Sequence, residues 1–190
     1  MAEILLFHHA QGLTPGVIAF ADELSAAGHT VHTPDLYDGH TSNTLDEGMG
    51  YARSVGFQTI LERGVSAAEG LPGELVYAGF SLGVMPAQHL AQNRAGAVAA
   101  VFIDAAMPPE EFGGAWREGL PLQIHGMDAD PWFCGEDLVA AKALVADVDG
   151  AELFLYPGDR HLFADSSLAS YDPEAASLLT RRVLEFLSPL

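Results

Sequence analysis

Six short apolar runs recur along the chain, over residues 4–8, 29–33, 74–80, 98–103, 121–125 and 152–156, and they restrict the fold more than any other feature. A strand with one face in water alternates polar and apolar residues, whereas these runs are nearly continuous, as expected of strands covered on both faces. Helix-length stretches separate them. Val17, Phe20, Ala21 and Leu24 recur at helical spacing and stop at Gly28. Further helices are expected over about 44–69, 82–94, 136–147 and 173–188, the last with Leu179, Val183, Phe186 and Leu187 on one stripe. Strands alternating with helices predict the α/β class, with a mostly parallel, doubly wound sheet carrying helices on both faces. At 190 residues a single domain spanning 1–190 is expected. The stretch 104–120, with its Pro108-Pro109 and Gly113-Gly114 pairs, is too long for an ordinary connection and has the character of a functional loop.

Composition narrows the partners. With 49% hydrophobic and 18% charged residues the chain is far from the disordered class. Its 26 acidic and 8 basic side chains give a formal net charge of −18, which repels nucleic acid and anionic membranes alike. Lys142 is the only lysine, so there is no polybasic segment. Cys134 is the only cysteine, which excludes an intramolecular disulfide and a multi-cysteine zinc site. The first residues lack a basic leader, and no stretch approaches the roughly 18 to 20 apolar residues that cross a bilayer. A soluble cytoplasmic protein is the expectation.

The chemistry is carried by Gly79-Phe80-Ser81-Leu82-Gly83, which follows an apolar run and opens a helical stretch. That is the setting of a nucleophile elbow. Glycines two residues either side of Ser81 leave room for a tight strand-to-helix turn, and the backbone N–H of Leu82 at the helix start is a candidate oxyanion donor. The alternative is a serine that merely caps a helix. A serine hydroxyl needs a base, and the base an orienting acid. Of the histidines beyond Ser81, His89 falls within the following helix, His125 ends an apolar run, and His161 lies in a loop after the last strand. Loops leaving the carboxyl ends of strands are where such sites form, which favours His161. Asp104, Asp128 and Asp130 are candidate acids. Asp130 is preferred over Asp128 because Pro131 restricts its backbone to extended conformations.

The elbow, the turn Gly126-Met127-Asp128-Ala129-Asp130-Pro131, the loop Gly158-Asp159-Arg160-His161-Leu162-Phe163 and Pro34-Asp35-Leu36-Tyr37 together resemble the dienelactone hydrolase family of α/β-hydrolases. The resemblance runs from about residue 4 to 187. It implies Ser81, Asp130 and His161 as the triad, Ala10 as the second oxyanion donor, and hydrolysis of an ester or lactone. Three differences from the family pattern matter. Ser81 stands where the best-known members carry cysteine. His9 stands where they place a glutamate, and is either a core histidine or a polar group facing substrate. Asp165 stands where dienelactone-cleaving members carry an arginine that grips the substrate carboxylate, so a neutral ester or lactone is the expected small-molecule substrate. No cofactor is implied, because acyl transfer by a triad needs neither metal nor nucleotide. Adjacent His8 and His9 point to opposite faces of a strand end, and no ligand spacing for a metal occurs. His9, Tyr37, Met107, Trp132 and Phe163 are candidate pocket-lining residues. The competing reading is a ligand-binding or regulatory protein on a hydrolase fold, or a thioesterase.

Overall fold

The computed structural model describes all residues from Met1 to Leu190. Six strands form one sheet: β1 (Glu3–Phe7), β2 (Thr30–His32), β3 (Leu75–Phe80), β4 (Ala97–Ile103), β5 (Leu122–Met127) and β6 (Glu152–Tyr156). The strands lie in the order β2-β1-β3-β4-β5-β6, and every neighbouring pair is parallel. The helices are α1 (Pro15–Ala26), α2 (Leu45–Val55), α3 (Phe57–Ala67), α4 (Val84–Asn93), α5 (Glu136–Asp147) and α6 (Pro173–Leu187).

Successive side chains of a strand point to opposite faces, and the core divides accordingly. Leu5, Phe7, Tyr77, Phe102 and Ile124 pack on one face with Ala52, Ile60, Leu90, Ala141 and Leu144 of α2, α3, α4 and α5. Ile4, Leu6, Val76, Ala78, Val101 and Ile103 pack on the other with Val17, Phe20 and Leu24 of α1 and Leu179, Val183 and Leu187 of α6. The sheet is thus covered on both sides, as the continuous apolar runs require. No helix is long and apolar enough to cross a membrane.

One expected helix is two. The stretch over 44–69 breaks at Gly56, whose φ of +93° has no place in a right-handed helix. Before the break, Thr44 and Glu47 form a reciprocal capping box that starts α2. The stretch 104–120 contains only one short 3₁₀ turn, Pro109–Phe112.

Parallel strands align all their carboxyl ends along one edge, and the sheet reverses direction of growth between β1 and β3. Loops that follow β1, β3, β4, β5 and β6 therefore converge there, at the topological switch point where ligand sites of open α/β sheets form.

Candidate active site

Ser81 leaves β3 in a left-handed conformation, φ +48°, and begins a 3₁₀ turn, Ser81–Gly83, that runs into α4. Two glycines permit this. A Cβ on Gly79 would fall on the Gly83 carbonyl, and one on Gly83 would lie 2.5 Å from the Phe7 carbonyl oxygen and 2.6 Å from that of His8. The turn is therefore pressed against the end of β1, which brings the loop carrying Ala10 beside the elbow. Ala10 is fully buried, and its N–H makes no hydrogen bond within the chain. Helix α2 crosses close by, where Gly48 meets the Ala10 carbonyl with no side chain between them.

The Ser81 Oγ lies 2.8 Å from Nε2 of His161, and Nδ1 of His161 lies 2.7 Å from Oδ2 of Asp130. The other oxygen of Asp130 accepts the Trp132 N–H at 2.8 Å, so the carboxylate is fixed by its own turn as well as by the imidazole. Asp130 is fully buried. Asp128, the other candidate in that turn, is exposed and accepts the Gly158 N–H at 3.0 Å instead. His125 is buried, bonded to Tyr156 and Gln123, and His89 lies on α4 away from the elbow.

Burial pulls the His161 pKa down, but the hydrogen bond it donates to Asp130 and the charges of Asp104, Asp130 and Asp137 more than offset it, and the net direction is upward. Burial pushes Asp104 up to about 7, and the Asp130 charge adds to this, while His161 and the Leu162 N–H draw it back. Burial likewise lifts Asp137, at the start of α5, to about 6. Backbone strain concentrates here. Four non-glycine residues have positive φ, and three of them, Ser81, Asp104 and Leu162, belong to this cluster.

Asp104, Asp130 and His161 bring one ligand-type atom each within 4.8 Å of one another. Both ring nitrogens of His161 are already engaged, by Ser81 and Asp130, so the group is organised as a hydrogen-bond network rather than a coordination sphere.

Three of the residues expected to line a pocket do not. His9, Tyr37 and Phe163 are completely buried. Tyr37 packs into one core layer and Phe163 into the other, because their loops fold back over the sheet. His9 is a core histidine, with Nε2 2.7 Å from Asp165 and Nδ1 accepting the Gln11 N–H. Asp165 does not face a substrate either. Its oxygens are taken up by His9, Thr14 and both the N–H and the hydroxyl of Ser167. Burial works against ionisation of Asp165, yet these hydrogen bonds hold its pKa below the ordinary value. Trp132 is half-exposed, its ring centroid 6.0 Å from that of His161. Met107 lines a cleft of about 1440 Å³ between the loop after β4 and α5, together with Ala106, Trp116, Val139 and Asp137. Asp137 carries no local motif in the sequence and reaches the cleft only through the placement of α5.

The family model of the dienelactone hydrolase family matches residues 2–190. The chain belongs to the dienelactone hydrolase family. No curated protein matches it. Among solved structures, this dienelactone hydrolase family member is similar to a dienelactone hydrolase-like promiscuous phosphotriesterase from metagenomic libraries. That match has a TM-score of 0.78 and 18% identity, and covers 100% of this chain and 87% of the other. A dienelactone hydrolase from Anabaena variabilis gives 0.67 at 17% identity over 99% and 86% of the two chains. An epoxide hydrolase from Vigna radiata gives 0.71 at 13% identity over 100% and 92%. At these identities the likeness to solved structures establishes a shared α/β-hydrolase fold, and the family membership establishes a hydrolase.

Proposed function

We propose that this hydrolase cleaves a small, neutral carboxylic ester or lactone through an acyl-enzyme, with Ser81 as nucleophile, His161 as base and Asp130 as the orienting acid. The observation that carries the reading is the unbroken hydrogen-bond chain from the Ser81 hydroxyl through His161 to Asp130. As Oγ attacks the carbonyl carbon, its proton passes to Nε2 of His161, while Asp130 holds the tautomer that leaves Nε2 free to accept. The free N–H of Ala10 and the N–H of Leu82 at the head of the turn serve as donors to the oxyanion. His161 then returns the proton to the leaving alkoxide, and water repeats the sequence to release the acid.

Charge supports a neutral substrate. Glu110, Glu111, Glu118, Glu136, Asp137 and Asp147 line the cleft beside Met107, whereas its one arginine, Arg117, is spent on the Arg94 carbonyl. Of these, Asp137 lies close enough for its charge to act on His161, so a substrate carboxylate approaching the nucleophile meets repulsion. Two measurements test the proposal. Ser81→Ala is expected to lower kcat for a short p-nitrophenyl ester by ~10⁴-fold or more with an unchanged circular dichroism spectrum. An ester of equal length ending in a free carboxylate is expected to react at least ~10-fold more slowly in kcat/KM. Near-normal turnover by Ser81→Ala would overturn the nucleophile, and faster cleavage of the anionic ester would overturn the substrate class.

A further inference from the structure

Asp104 takes no part in the hydrogen-bond chain, yet it is built into the same site. Of the three fully buried carboxylates, Asp104, Asp130 and Asp165, it alone has an oxygen, Oδ1, without a hydrogen-bond partner. An unpaired carboxylate oxygen in the interior is costly, on the order of a few kcal/mol. Its backbone adds strain at φ +61° and is held in place by the Asp104 N–H donating to the His125 carbonyl at 2.7 Å. Its second oxygen accepts the N–H of Leu162 at 3.1 Å, and Leu162, also at φ +61°, is the residue directly after His161. The arrangement therefore grips the base-bearing loop from the end of β4 and brings a carboxylate oxygen of Asp104 within 4.8 Å of ligand-type atoms of Asp130 and His161.

We propose that Asp104 is a second acid to His161, a positioning residue that fixes the His161 loop through Leu162 and lends a second carboxylate to the imidazolium formed during proton transfer. The inference rests on the reading of Ser81, His161 and Asp130 given above. The proton itself moves only between Ser81 Oγ and His161 Nε2, breaking O–H as N–H forms, and Asp104 neither gives nor receives it. When Asp130 is lost, Asp104 is the carboxylate left beside the ring.

The charged groups around the pair are few. His161 faces Asp104 from the end of β4, Asp130 from the turn after β5 and Asp137 from the start of α5. Asp104 faces His161 and Asp130, and its charge also reaches Tyr156 of β6. Arg160, the neighbour of His161, turns away to the Tyr171 carbonyl and Asp172.

Asp104→Asn separates charge from structure, because an amide oxygen still accepts the Leu162 N–H. A carboxylate beside an imidazole raises its pKa, and the base works only when neutral, so removing the charge that Asp104 gains as it ionises near pH 7 moves the acid limb of the kcat/KM profile to lower pH. The expected displacement is about half a pH unit or more, with several-fold lower kcat/KM on the plateau. A profile that superposes on the wild type would overturn the inference. The pair of variants gives a second test. Asp130→Asn is expected to retain activity within ~10²-fold of wild type, and adding Asp104→Asn is expected to cost more than it does alone. A loss of ~10⁴-fold from Asp130→Asn alone, or equal effects of Asp104→Asn in both backgrounds, would overturn it. The Asp130→Asn arm stands even if Asp104→Asn does not fold. Failure of Ser81 to react with a fluorophosphonate in the wild type would instead overturn the underlying reading of the triad.

Discussion

Side-chain oxygens at the strand ends are assigned one by one, and each assignment has a consequence. Asp130 gives one oxygen to His161 and the other to the Trp132 N–H, whereas Asp128 gives its oxygen to the Gly158 N–H. Asp128→Asn keeps an acceptor for Gly158, so its kcat/KM for a p-nitrophenyl ester is expected to stay within about threefold of wild type. A loss approaching that of Asp130→Asn would move the acid. Asp165 is committed to His9 on the loop after β1, so the buried pair ties the Ala10 loop to the segment following His161. Asp165→Asn is expected to cost about 2 kcal/mol by urea unfolding, because an amide replaces the charged acceptor of the hydrogen bonds from His9, Thr14 and Ser167. An unchanged urea midpoint would contradict this. The three residues of the hydrogen-bond chain were legible in the sequence because each sits in a short motif. The His9–Asp165 pairing was not. The two positions are 156 residues apart, and which polar group fills which buried site is decided by tertiary packing.

At the scale of elements, continuous apolar runs identified all six strands, and their near-continuity implied the parallel, doubly covered sheet that the register displays. The break between α2 and α3 is not legible in the sequence because Gly56 carries no proline or capping residue beside it, and glycine inside a helical pattern is compatible with a continuous helix. Its positive φ makes Gly56→Ala strained, with an expected loss of about 1 kcal/mol in chemical unfolding. A variant that gains stability would mean that the helices fuse. The elbow is less forgiving. Gly83→Ala would drive a Cβ into the carbonyls of Phe7 and His8, so the elbow must separate from β1 and from the Ala10 loop. The expected outcome is loss of ester turnover out of proportion to any loss of secondary structure by circular dichroism.

Across the whole molecule, two histidines outside the reaction are buried in neutral form. Burial lowers His8 to about 4 and His125 to about 3, in each case from an ordinary 6.5. Since both folded values lie below the unfolded one, the unfolded chain binds more protons in acid, and the stability they contribute is present above pH 6.5 and lost as pH falls toward 4. Each is expected to account for about 2 to 3 kcal/mol between pH 6.5 and about 4.5. Their Cε1 proton resonances should stay flat from about pH 8 to 5, and titration near 6.5 would contradict the assignment. The net charge of −18 and the acidic residues lining the cleft beside Met107 act in the same direction at this scale, both disfavouring the approach of an anionic ligand to that cleft. On the proposed mechanism this sheet edge activates one serine. Intact-protein mass spectrometry after treatment with a fluorophosphonate tests it most directly. A single covalent adduct on the wild type that vanishes in Ser81→Ala is the expected result, and an unmodified wild-type chain, or an adduct that persists in Ser81→Ala, would contradict the account.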